Sequence, residues 1–102
     1  MSWVKGVSKS MVVRTMSPIT VGTSAVRCAA AQIAENFGAN QGVTVQADSA
    51  NSGTIYIGDS TVTTANGIEL AASSSYTIPV FDPYGIWAIA SASAQVLRVS
   101  YV

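Results

Sequence analysis

From residue 43 to the end of the chain, apolar and polar side chains alternate with a period of two, run after run. Val43-Thr44-Val45-Gln46-Ala47-Asp48 alternates, as do Thr54-Ile55-Tyr56-Ile57, Tyr76-Thr77-Ile78-Pro79-Val80 and the closing stretch around Arg98. In extended backbone, successive side chains point to opposite faces, so this pattern specifies strands with one face buried. The runs are short and separated by turn formers, the spacing of a sandwich or barrel. The expectation is an all-β fold: a small antiparallel β-sandwich, jelly-roll or immunoglobulin-like, with an N-terminal extended arm. Its interior should hold Val43, Val45, Ile55, Ile57, Ile78, Val80, Ile89, Leu97 and Val99.

The connections carry their own signals. Residues 48–53 form a Ser/Asn/Gly loop between two strands. Ala65-Asn66-Gly67 is a turn, preceded by an expected short strand at Val62-Thr63-Thr64. Asp82-Pro83-Tyr84-Gly85 has the residues of a type I turn at the right positions. Ile86-Trp87-Ala88-Ile89-Ala90 is apolar in both phases, as a central strand covered on both sides would be. Upstream, residues 19–30 read as a strand bent at Gly22. Residues 29–37 read as a loop with one helical turn, Ile33 and Phe37 packing inward.

With 102 residues the chain makes one domain. Residues 1–18 form an arm or edge strand, and residues 19–102 the sandwich. In the opening segment, Trp3-Val4 and Met11-Val12-Val13 are apolar islands among Ser, Lys and Gly. A tryptophan near a terminus packs back on its own domain or docks on another subunit. Trp3, Val4, Lys5, Met11, Val12 and Arg14 are therefore the candidate subunit-interface residues.

Composition narrows the function. Charged residues are only 10% of the chain, against roughly 25% in an ordinary soluble protein. A surface with few charges has few ions to desolvate on contact, which suits a subunit of an assembly. Formal net charge is zero. Lys5, Lys9, Arg14 and Arg27 precede the first acidic residue, Glu35, but are too sparse for the basic stripe of a nucleic-acid binder. No partner nucleic acid is expected. No apolar run approaches the roughly 20 residues that span a bilayer, so no membrane is expected either. No apolar stretch of signal-peptide type follows Lys5 and Lys9, so synthesis is expected in a cytoplasm.

The chain has no histidine and a single cysteine, Cys28. That excludes a Cys-His nucleophile pair, a Cys/His zinc site and an internal disulfide. Cys28 reads as a small buried hydrophobe. The five carboxylates are scattered singly and give no pair for glycoside chemistry. The loop at Asp48 offers one carboxylate and no bidentate Glu, so it is a connector and not a calcium loop. Tyr56, Tyr76, Tyr84 and Trp87 either line a sugar-binding face or belong to the core; their alternating positions favour the core. No cofactor, metal or catalytic residue is expected.

Residues 43–102 resemble, in the order of their phrases, small β-sandwich virion proteins of tailed bacteriophages. The phrases are Gln46-Ala47-Asp48, the Ser/Asn/Gly loop, Thr54-Ile55-Tyr56-Ile57-Gly58-Asp59, Val62-Thr63-Thr64-Ala65-Asn66-Gly67-Ile68-Glu69-Leu70, Ser73-Ser74-Ser75 and Ile86-Trp87-Ala88-Ile89-Ala90-Ser91. Such proteins are capsid decoration (cement) proteins or head-fibre modules. The resemblance implies a non-enzymatic structural role at the capsid surface of the virion. The implied partner is the major capsid protein; copies of the chain itself, as a homotrimer, are expected because three-fold capsid positions demand matching symmetry. It transfers no catalytic residues. The alternatives are a tail, neck or baseplate component, or a carbohydrate-binding module of a host-recognition fibre.

Overall fold

A computed structural model describes residues 14–30, 42–80 and 82–101. Among these described residues nine strands form two antiparallel sheets that face each other across one apolar layer. The strands are β1 (Arg14–Thr15), β2 (Ile19–Val21), β3 (Val26–Arg27), β4 (Val43–Ala47), β5 (Ile55–Gly58), β6 (Ile68–Leu70), β7 (Ser75–Ile78), β8 (Trp87–Ala90) and β9 (Gln95–Tyr101). Sheet A has the order β1-β9-β4-β7, with β2 also on β9; sheet B has the order β3-β8-β5-β6. The all-β sandwich expected from the alternation is what forms. The expected arm falls largely on residues 1–13, outside the described residues; its last part, Arg14–Thr15, is an edge strand opposite Tyr101 and Ser100 of β9. No helix among the described residues is long and apolar enough to cross a membrane.

Local chemistry explains the breaks. Pro18 has no N–H for the β9 ladder, and the chain interrupts there between β1 and β2. The stretch read as one bent strand is two strands in different sheets. The chain leaves sheet A after Val21, and the Gly22 carbonyl accepts a bond from the Ala90 N–H of sheet B (2.8 Å). Residues 62–64, read as a strand, are instead the approach to a turn: the Asn66 side chain accepts from the Thr63 N–H, and the Asn66 and Gly67 N–H groups return to the Thr63 carbonyl. The Asp82 carboxylate accepts from the Tyr84 N–H (2.9 Å) and caps a 3-10 turn at Pro83–Gly85, as the turn residues imply. The expected helical turn, with Ile33 and Phe37, lies outside the described residues.

The core is aliphatic. Val21, Cys28, Val43, Val45, Ala47, Ile55, Ile57, Leu70, Ile86, Ala88, Ala90, Leu97 and Val99 are buried together. Fully burying one such Val, Ile or Leu stabilises by about 1.5–3 kcal/mol. Six of the nine expected core residues are there, and Ile78 packs against them from the edge. Two are not. Val80 lies beyond the end of β7 and is exposed. Ile89 lies on the outer face of sheet B, because Ala88 and Ala90 take the inner phase of β8. There Ala88 lies beside Ile57 and Ala90 beside Ile55, small against large across the ladder. Burial pushes the Cys28 thiol up to about 12, which keeps it protonated and inert at neutral pH.

Candidate functional site

Tyr56, Tyr76, Tyr84 and Trp87 all lie outside the buried core, which corrects their core reading; among the described aromatic residues Tyr101 packs against it, partly buried. Three of the four gather on the outer side of sheet B. Tyr56 of β5 lies directly across from Ile89 of β8, and Trp87 lies across from Arg27 of β3. The residues on both sides of each pair share a face, so Arg27, Trp87, Ile89 and Tyr56 make one patch, rimmed by Glu69 across from Tyr56. Trp87, Ile89 and Tyr56 are half-buried.

Arg27 fixes this patch. Its guanidinium carbon sits 4.0 Å from the Tyr84 ring centre and 4.7 Å from the Trp87 ring centre. Its Nη1 also donates to the Tyr84 carbonyl at 2.9 Å. A planar cation over two aromatic faces, with one N–H on a backbone oxygen, fastens the Pro83–Gly85 turn onto β3 and β8. It also occupies one face of each of these two rings, which is then closed to a stacking sugar.

The outer face of sheet A is polar. A cleft of about 250 Å³ is lined by Thr15, Thr44, Gln46, Arg98, Val99 and Ser100, among others. Arg98 donates from Nη2 (2.7 Å) and Nε (3.1 Å) to Asp48 Oδ1, and the Ala50 N–H reaches Asp48 Oδ2 (3.1 Å). These bonds, the Arg98 one first, hold the Asp48 carboxyl below the usual carboxylate range. That carboxylate is thereby committed to Arg98 of β9 and to the Ala50 N–H of its own loop. No carboxylate is among the described residues that line the cleft, so the two-acid arrangement of glycoside cleavage is not assembled there.

A third feature is the open side of the sandwich, where β6 and β7 are the last strands of their sheets. The large apolar side chains that stay exposed among the described residues are Ile68 (43%), Tyr76 (44%) and Val80 (37%), on or beside these two strands. Among the described residues no cluster of three or more Cys, Asp or Glu side chains could hold a metal.

Of the candidate interface residues, Trp3, Val4, Lys5, Met11 and Val12 lie outside the described residues. Arg14 is half-buried in β1, opposite Tyr101. The Arg27 clamp was not legible in the chain, since its two aromatic partners lie about sixty residues downstream and only the sheet brings them together. No family model, no curated protein and no solved structure matches this chain.

Proposed function

We propose that this chain is a non-enzymatic structural protein of a tailed-phage virion, a capsid decoration protein that binds the major capsid lattice and stabilises the head. The observation that carries this reading is the outer patch of sheet B. Tyr56, Trp87 and Ile89 form an aromatic and aliphatic surface, half-exposed, on a rigid sheet. Aromatic residues are enriched and charges depleted at the centre of protein interfaces. Of the charges beside this surface, Arg27 is engaged on Tyr84 and Trp87 and Asp59 on the Thr61 hydroxyl (2.6 Å), while Glu69 is exposed at the rim. Docking such a surface requires little desolvation of free ions. The order of sequence phrases over residues 43–102 supplies the virion context.

The mechanism is additive contact. One copy contributes a modest interface, roughly 1,000 Å² or more, against neighbouring capsid subunits. Many copies bound at once hold neighbouring subunits together against the pressure of packaged DNA. The carbohydrate-binding alternative is weakened by Arg27, which covers one face each of Tyr84 and Trp87, two of the four aromatic residues considered for it.

A paired assay on virions with and without the protein tests the proposal. Loss of the protein should lower the temperature of DNA release and leave adsorption to cells unchanged. Normal heat resistance with defective adsorption would overturn it in favour of host recognition. In the purified protein, Ile89→Lys should keep the fold and reduce binding to empty capsids.

A further inference from the structure

We propose that two copies of this chain pair edge to edge through β7, antiparallel, joining two copies of sheet A into one continuous sheet. Ser75 then faces Thr77 of the second copy, and Tyr76 faces Tyr76 across the two-fold axis. The pairing does not depend on the capsid reading.

The ladder of sheet A fixes which groups are on offer. The Asp48 N–H bonds to the Val96 carbonyl (3.1 Å), and the Ala47 N–H bonds to the Ser74 carbonyl (2.9 Å). In an antiparallel ladder the residues of a central strand bond alternately to either side. Even-numbered residues of β4 thus bond to β9, and Val43 and Val45 bond to Ile78 and Tyr76 of β7. It follows that Ser75 and Thr77 turn their N–H and C=O groups to the open edge. Among the described residues β7 pairs with β4 alone, and Ser75, Tyr76 and Thr77 are all exposed.

Only one register joins two such edges fully. With Ser75 opposite Thr77, two donors and two acceptors of each copy meet, giving four hydrogen bonds. The inner faces of both sheets stay on the same side; a shift of one residue would reverse them. Centring the pair on Thr77 would set Ser75 against Pro79, which has no N–H. Centring it on Ser75 would set Thr77 against Ser73, which lies in a bulge. There the Ser73 N–H and the Ser74 carbonyl both bond to Ala47, and Ser73 has φ 72°.

The occupant follows from self-complementarity and charge. Residues 70–80 contain no charged side chain, so two copies meet without like-charge repulsion. The usual protections of an open edge, lysines or inward charges, are missing from β7, while the bulge at one end and Pro79 at the other limit the pairing to this short window. Pairing uses both β7 edges, so it closes at two copies and does not propagate. The Thr77 hydroxyl is already paired with the Thr44 hydroxyl (2.9 Å), leaving the backbone as the part offered outward. Tyr76, 44% exposed on the inner side beside Val45, gains its two-fold mate as cover. This two-fold closure differs from the homotrimer expected at three-fold capsid positions, and molar mass separates the two.

Cysteine cross-linking of the full chain tests the register. Facing residues of a non-hydrogen-bonded antiparallel pair have Cα atoms about 4.5 Å apart, inside the roughly 4.4–6.8 Å that a disulfide spans. Tyr76→Cys should therefore form a covalent dimer under mild oxidation at least about tenfold faster than Thr77→Cys, whose own mate lies beyond disulfide reach. Buried, protonated Cys28 does not compete. In sedimentation equilibrium the wild-type mass should double with rising concentration. Thr77→Pro, which removes one edge donor without touching the β4 ladder, should stay monomeric, and so should Tyr76→Lys, which sets like charges on the axis. Equal cross-linking of the two cysteine variants, a wild type that stays monomeric at millimolar concentration, or a trimer that survives both substitutions would overturn the pairing.

Discussion

The side-chain amide of Asn51 pairs with both backbone groups of Val96, donating to its carbonyl at 2.9 Å and accepting from its N–H at 2.8 Å. One side chain thus continues the β4–β9 ladder past the end of β4, in place of a backbone. Beside it, buried Gln95 accepts from the Gly53 N–H (2.8 Å) and donates to the Ser93 carbonyl (2.7 Å). The loop at residues 48–53 is built against β9 by these two amides. Asn51→Ala should destabilise by about 1–3 kcal/mol, because the part-buried Val96 N–H loses its partner and the Val96 carbonyl keeps only the Asp48 N–H. Chemical denaturation measures this, and an unchanged midpoint would contradict the role.

The two isoleucines of sheet B should respond differently. Ile57 is fully inside, and Ile57→Ala should cost about 2–5 kcal/mol. Ile89 is half-buried on the outer face, and Ile89→Ala should cost only about 1 kcal/mol, roughly half of a full burial. Equal losses in thermal melting would contradict the orientation of β8.

This contrast marks how far the chain could be read unaided. In β4 one phase is apolar and the other polar, and in β9 Leu97 and Val99 flank Arg98 in the opposite phase, so alternation alone identifies Val43, Val45, Leu97 and Val99 as interior. In β8 both phases are apolar, and hydrophobicity cannot choose between Ala88-Ala90 and Trp87-Ile89. The choice was made by volume: large Ile55 and Ile57 next door leave room only for alanine. The same limit hid the contact surfaces. The Arg27 stack and the β7 edge depend on which strands become neighbours or stay last in a sheet, and local sequence carries no signal for either.

Backbone conformation gives a prediction with two signs. Ser73 (φ 72°) and Ala94 (φ 59°) occupy the left-handed region, which costs a residue with a Cβ about 1 kcal/mol relative to glycine. Ser73→Gly and Ala94→Gly should each raise stability by several tenths of a kcal/mol up to about 1. Gly42 has φ 111°, and a Cβ there would lie 2.7 Å from the Ile78 carbonyl oxygen, a rigid backbone atom. Gly42→Ala should therefore lower stability by about 1–3 kcal/mol. Melting curves of the three variants check the signs.

Acid should weaken the fold through two carboxylates. Hydrogen bonds from Arg98 and Ala50 depress Asp48, and the hydroxyl and N–H of Thr61 depress Asp59. A carboxyl depressed in the folded state contributes stability that is fully present above its unfolded value, about 4. That contribution is lost as pH falls through the folded value. The gap in melting temperature between wild type and Asp48→Asn should be widest at neutral pH and shrink below about pH 4. A gap that stays constant down to about pH 2 would contradict the linkage.

The proposed role rests on where the chain sits in the particle, and low-resolution density of the purified virion reads this directly. Decoration of the head predicts many copies seated on the major capsid lattice, with the Tyr56, Trp87 and Ile89 face of sheet B turned toward it. Density confined to the tail, neck, baseplate or fibres, with a bare capsid lattice, would contradict the account.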